Sequence, residues 1–114
     1  YGKMPGESYL ERQITRYAEE YGCYVRKFIS THAGVPDRII SKELTLFLEI
    51  KDFKKRPSQL QKDEIAIICA TGGFATWVDN MEDAIIILNG VLANRADWLR
   101  KECRERNFWL HGKR

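Results

Sequence analysis

Cysteine is scarce and scattered in this chain. Cys23, Cys69 and Cys103 are the only three in 114 residues, and no Cys-x-x-Cys pair occurs. An odd, widely spaced set supports neither a disulfide framework nor a zinc site, and it fits a reducing cytoplasm. Histidine is scarcer: His32 and His111 have no metal-spaced partner, so both read as exposed polar residues rather than catalytic ones. No apolar run approaches the roughly 20 residues of a membrane span, and no signal-peptide pattern opens the chain. Tyr1-Gly2-Lys3 reads as a trimmed end, with Met4 as a native start. Internal repeats and low-complexity segments are also missing, and the length is that of one ordinary domain. A large charge excess is lacking too: nineteen basic and sixteen acidic residues leave +3. That balance alone does not announce a nucleic-acid partner.

The distribution of charge says more. Between Lys51 and Lys62 five Lys or Arg stand against Asp52, and between Asn94 and Arg114 seven stand against Asp97, Glu102 and Glu105. These clusters suit a polyanion. For the tail, a solvated helical face ending in a frayed basic end explains the same charges. Trp98, Phe108 and Trp109 close the core there or face a partner.

Hydrophobic residues make up 44% of the chain, enough for a real core. Leu10, Ile14, Tyr17, Ala18 and Tyr21 have helical spacing across 8–21, and Gly22 is a natural stop. Glu7 and Glu11 fall on an adjoining stripe, which puts Glu11 at the edge of the buried face. Residues 24–30 read as a strand and 31–37 as a loop. Residues 38–40 and 45–51 read as a hairpin turning at 41–44. A basic loop over 53–57 precedes a helix over 58–71 that ends at Gly72-Gly73. A strand over 74–78, a helix from Met81 to about Leu92 and a last helix from Asn94 complete the order. The expected fold is α/β, with a mixed four-stranded sheet flanked by helices (αβββαβ) and C-terminal helices. Short connections make the first three strands antiparallel, and a crossover helix brings in the fourth.

Two short strings carry the chemistry. Glu49-Ile50-Lys51 ends the apolar run that starts at Thr45, and Gly34-Val35-Pro36-Asp37 places an aspartate twelve residues before Glu49. Glu49 and Lys51, two apart on a strand, project from the same face. Closing a buried strand with opposite charges is costly unless they meet each other, a metal or a ligand. If the hairpin pairs as expected, Asp37 joins Glu49 at one end of the sheet. Two carboxylates and a lysine there can hold a divalent cation and steer a phosphate. A turn-forming aspartate and a surface ion pair are the structural readings of the same residues. Ser58-x-x-Gln61 is a capping-box pattern at a helix start.

Gly34-Val35-Pro36-Asp37-Arg38, Glu49-Ile50-Lys51 and Ser58-Gln59-Leu60-Gln61, in this order, resemble the VRR-NUC family of the PD-(D/E)xK nuclease superfamily. Glu7-Ser8, Glu11-Arg12-Gln13-Ile14, Lys27-Phe28, Ser30, Gly72 and Trp77-Val78-Asp79 fit the same pattern, which archaeal-type Holliday junction resolvases share. The turn at Ser41-Lys42-Glu43-Leu44 departs from relatives that carry Gly or Pro there. The resemblance spans roughly residues 7 to 88. It implies a restriction-endonuclease-like core over 7–92, with 1–6 as a disordered end and 93–114 as a C-terminal helix and basic tail.

The resemblance further implies a metal-dependent DNA endonuclease using Mg2+ or Mn2+. Asp37, Glu49, the backbone carbonyl of Ile50 and, directly or through water, Glu11 would hold the metal. Lys51 would hold the attacking water or the scissile phosphate, and Gln61 would complete the catalytic set. Ser30, His32, Arg38, Lys54, Lys55 and Arg56 would meet the nucleic acid. Relatives act as homodimers on branched DNA such as Holliday junctions, and small stand-alone members are phage-encoded, so the expected setting is the cytoplasm of a bacterium or of a phage's bacterial host. A non-catalytic DNA-binding module on the same fold and a sequence-specific restriction-type nuclease are the competing readings.

Overall fold

Residues 8–108 are described by a computed structural model. The expected disordered end over 1–6, Glu7, Trp109, His111 and the rest of the tail over 109–114 lie outside the described residues. Helix α1 (Tyr9–Glu20) starts where the sequence supplies a reciprocal cap. Ser8 Oγ accepts from the Glu11 main-chain N–H at 3.1 Å, and Glu11 Oε1 accepts from the Ser8 main-chain N–H at 2.7 Å. Its apolar stripe, Ile14 and Ala18, is fully buried. Strand β1 (Tyr24–Lys27) ends three residues before the expected Ser30. One more bond, from Phe28 N–H to the Asp37 carbonyl at 2.7 Å, prolongs the pairing before the chain leaves the sheet.

Strands β2 (Arg38–Ser41) and β3 (Thr45–Ile50) form the hairpin, in a register that sets Arg38 opposite Leu48 and Ser41 opposite Thr45. Helix α2 (Gln59–Ala70) crosses over to β4 (Phe74–Val78), which runs parallel to β3. The sheet order is β1-β2-β3-β4. Helices α3 (Met81–Leu92) and α4 (Ala96–Phe108) follow.

The sheet buries both faces. Val25, Ile40, Leu46, Leu48 and Val78 join Ile14, Ile87, Leu88 and Leu99 in the main core. Phe47, Ala75 and Trp77 pack with Ile65 and Ile68 beneath α2. Helix α4 belongs to the main core through Leu99 and Cys103, and it covers the flank of β4. Thr76 Oγ1 donates to Asn107 Oδ1 at 2.8 Å, and Asn107 Nδ2 donates to the Ala75 carbonyl at 3.0 Å. An exposed strand edge invites pairing with other chains, and here a helix side chain occupies it. Trp98 packs against the core, and its ring lies so close to Gly90 that an added Cβ would approach it to 2.7 Å. Phe108 is exposed. No helix among the described residues is long and apolar enough to cross a membrane.

Candidate active site

Strand alternation builds the site at the C-terminal end of β3. Leu48 and Ile50 point into the main core, so Glu49 points to the opposite face, and Lys51 follows it there. The β2–β3 register, continued by one residue, brings Asp37 opposite Glu49. Gly34 lets this arm settle on α2. Its φ is +92°, and an added Cβ would lie 2.6 Å from the Leu60 carbonyl oxygen, so any side chain would push the Asp37 arm away.

Four polar groups then interlock. Gln61 Nε2 donates to Glu49 Oε2 at 3.1 Å, and Lys51 Nζ donates to Gln61 Oε1 at 3.3 Å. The same Oε1 accepts from the Ser58 main-chain N–H at 2.8 Å, so Gln61 caps α2 and touches the site at once. Lys51 Nζ stands 4.0 Å from Glu49 Oε2. The Lys51 main-chain N–H donates to the Val78 carbonyl at 2.9 Å, which ties the site to β4.

Electrostatics set these carboxyls apart from surface acids. Glu49 is 6% exposed. Burial first, then the neighbouring Asp37, push its pKa up to about 7; Lys51 pulls back, Glu11 adds to the rise, and the Asp37 main-chain N–H opposes it. Burial likewise raises Asp37, against the pull of Arg38 and Lys27. Asp37 Oδ1 is buried with no hydrogen-bond partner among the described residues. A buried carboxylate oxygen left so is costly unless a cation or proton meets it.

These observations bear on a metal. Among the described residues, no three His, Cys, Asp or Glu side chains gather into a metal cage. Magnesium does not need one, because it keeps several waters and takes one or two carboxylates plus substrate phosphates. The unpartnered Asp37 oxygen beside Glu49 fits that demand with hard oxygen donors. Ile50, whose carbonyl was the expected third donor, ends β3 and lines the adjoining cleft. Glu11 is committed elsewhere: Oε1 is held by the cap, and Oε2 lies 3.9 Å from Arg38 Nη2.

A cleft of about 420 Å³ adjoins these groups, lined by Ser8, Glu11, Ile50, Lys51, Asp52, Lys55 and Arg56. Lys54, Lys55 and Arg56 are exposed on its loop. Ser30 and His32 sit on the other loop: Ser30 Oγ accepts from the His32 main-chain N–H at 3.0 Å, and His32 Nε2 lies 3.1 Å from Glu64 Oε2. Arg38 requires a correction. Expected at the nucleic acid, it is 3% exposed and turned toward Glu11. Standing next to Asp37 on a strand, it must face the other way.

Two features escaped the sequence reading. Arg12 and Arg16 line a groove of about 250 Å³ along α1 with Tyr9, Gln13, Tyr17, Glu20 and Met81. Their four-residue spacing, which places them on one helix face, was the available signal. Asp79 is the second: its Oδ2 accepts from the Lys54 main-chain N–H at 2.9 Å, a contact between residues 25 apart. Two basic residues of α4, by contrast, are engaged within the fold. Arg106 pairs with Asp83 at 3.1 Å, and Arg100 donates to the Gly72 carbonyl, at the end of β4 away from the carboxylates.

A solved structure described as a VRR_NUC domain is similar to this chain, with a TM-score of 0.62 and 22% sequence identity, covering 72% of this chain and 97% of that one. The chain therefore has the nuclease-type fold of a VRR_NUC domain. No family model matches the chain, and no curated protein matches it.

Proposed function

We propose that this chain is a VRR-NUC-type, magnesium- or manganese-dependent endonuclease acting on DNA. The observation that carries the reading is half-buried Asp37 opposite buried Glu49 at one end of the sheet, with one Asp37 oxygen buried and without a partner among the described residues, and Lys51 beside Glu49. Asp37 and Glu49 would hold the metal, with Ile50 offering its carbonyl and Glu11 reaching in through water. Bound there, the metal would neutralise charge developing on the phosphoryl group and lower the pKa of a bound water. Lys51 orients the scissile phosphate or the attacking water as a point charge. Gln61 holds both Glu49 and Lys51 in place through its two-ended amide. Lys54, Lys55 and Arg56 contact the DNA backbone on one side of the cleft, and Arg12 and Arg16 extend that surface along α1.

The preferred substrate is branched DNA, including four-way junctions, cut by a homodimer whose two-fold axis matches that of the junction. Strand β4, one candidate for the dimer contact, is buried along its length, so the contact falls to the exposed end of α4 at Phe108. A panel of linear, flap and four-way DNA, incubated with purified protein and magnesium, tests the activity, and sedimentation equilibrium tests the dimer. Cleavage that persists in excess EDTA, or a monomer making paired nicks on a four-way junction, would overturn the corresponding part.

A further inference from the structure

The loop after Lys51 displays an aromatic ring that no core explains. Phe53 is 67% exposed, although burying a side chain of that size is ordinarily favourable. The loop is nonetheless firmly built. The Lys55 main-chain N–H donates to the Asp52 carbonyl at 2.9 Å, closing a turn. Lys54, inside it, has φ +69°, a left-handed conformation that a lysine adopts at a cost. Asp79 secures that conformation through the 2.9 Å bond to the Lys54 N–H. Pro57 is buried behind the loop, and the Arg56 guanidinium lies 5.6 Å from the centre of the Trp77 ring. A strained turn pinned at its base thus presents Phe53 outward beside Lys51. Lys54 Nζ stands 5.6 Å from the centre of the Phe53 ring, so an ammonium accompanies the ring into solvent.

A phosphate-steering lysine at 51 and an apolar ring and its paired cation at 53 and 54 match one kind of ligand: a nucleotide whose base is unstacked and whose phosphate continues into the cleft. A base inside a duplex has both faces covered, whereas one at a branch, flap or frayed end offers a π face. We infer that Phe53 is a stacking platform for an unpaired base of DNA next to the scissile phosphate, and that it gives the site its preference for DNA with unpaired nucleotides. Lys54 pairs with the phosphate of that nucleotide. This assignment rests on the nuclease reading above.

The test places 2-aminopurine at the unpaired position of a flap substrate, with a fully paired duplex as control, in calcium buffer. Wild-type protein is expected to quench the probe. Phe53→Ala leaves it bright, with affinity for the flap lowered about tenfold and affinity for duplex unchanged. Phe53→Trp restores quenching, and Phe53→Leu, which keeps bulk without a ring, does not. Because the residue is exposed, all three variants are expected to melt with wild type. Equal quenching and equal flap preference in wild type and Phe53→Ala would overturn the assignment while magnesium-dependent cleavage leaves the nuclease reading standing. A leucine variant as good as wild type, or dissociation of a dimer by Phe53→Ala, would likewise overturn it. Wild-type protein that neither binds nor cuts any DNA would remove both readings.

Discussion

Helices α1 and α2 begin with the same motif and use it differently. Each has a serine N-cap and a long polar residue three positions on, and in each the two ends satisfy one another. In α1 that residue is Glu11, one of whose oxygens goes to the cap while the other faces Arg38. In α2 it is Gln61, whose carbonyl oxygen serves the cap and Lys51 while its amide nitrogen reaches Glu49. A glutamate there would place another negative charge against Glu49, whose pKa already stands at about 7. The lesson is that the neutral amide lets one side chain both start a helix and orient a charged pair. The acid at the equivalent position of α1 is anchored by a buried arginine.

The largest expected effect separates the carboxylates at the end of the sheet from the cap acid of α1. Asp37→Asn or Glu49→Gln should reduce DNA cleavage at least about 10³-fold while binding is kept, since each removes a ligand charge worth several kcal/mol in the transition state. Glu11→Gln, which preserves the cap, should cost only about tenfold in rate and ~1–2 kcal/mol in stability through its arginine partner. Single-turnover rates and chemical denaturation measure both, and a Glu11 effect equal to that of Glu49 would erase the distinction.

Next in size is the exchange at the second cap. Gln61→Glu should keep α2 capped yet lower cleavage about 10²-fold, because a carboxylate replaces the amide donor 3.1 Å from Glu49. Gln61→Ala should lose about 1 kcal/mol of stability as well. A glutamate variant of wild-type activity would show that the amide serves the cap alone.

The third effect concerns pH. Glu49 has a folded pKa of about 7 against an ordinary 4.5, and Asp37 is raised too. Between those values the folded protein binds more protons than the unfolded chain. Stability from this group is therefore complete below pH 4.5 and is lost as pH rises to 7, by about 3 kcal/mol at most. Metal-free protein should melt lower at pH 8 than at pH 5, Glu49→Gln should remove much of that slope, and magnesium should raise the melting temperature at pH 8. A metal-free protein that melts higher at pH 8 would contradict the assignment.

The smallest effect is electrostatic. Lys54→Ala with Lys55→Ala should weaken binding to every DNA form alike and flatten the log-log salt dependence by about one to two units. An unchanged slope would place the loop away from DNA.

All eight elements were legible in the sequence, as were the antiparallel run of the first three strands and the crossover to the fourth, because turn residues and apolar spacing agree from one end to the other; that β4 joins the sheet at β3 was not. Lengths were less so. Strand β1 stops early because only one bond, from Phe28, continues its pairing with the Asp37 arm. At the site, the same-face relation of Glu49 and Lys51 follows from alternation alone. The same rule places Arg38 on the face opposite Asp37, and the family pattern drew it outward instead. The Lys54–Asp79 and Glu11–Arg38 contacts join residues far apart in sequence, and no local spacing announces them.

The tight fit of Gly34 on the Leu60 carbonyl also bears on the order of folding. The β2–β3 hairpin is local and sets Asp37 opposite Glu49, whereas the contact of α2 with the Asp37 arm closes a longer loop and is expected to form after it. Gln61 and the seat for Gly34 arrive with that later, non-local step. A chain in which α2 has yet to dock would carry its carboxylates without the helix that organises them, and the proposed hydrolytic competence would be a property of the finished topology. Substitutions at Gly34 should accordingly delay the appearance of activity during refolding more than they delay the growth of secondary structure.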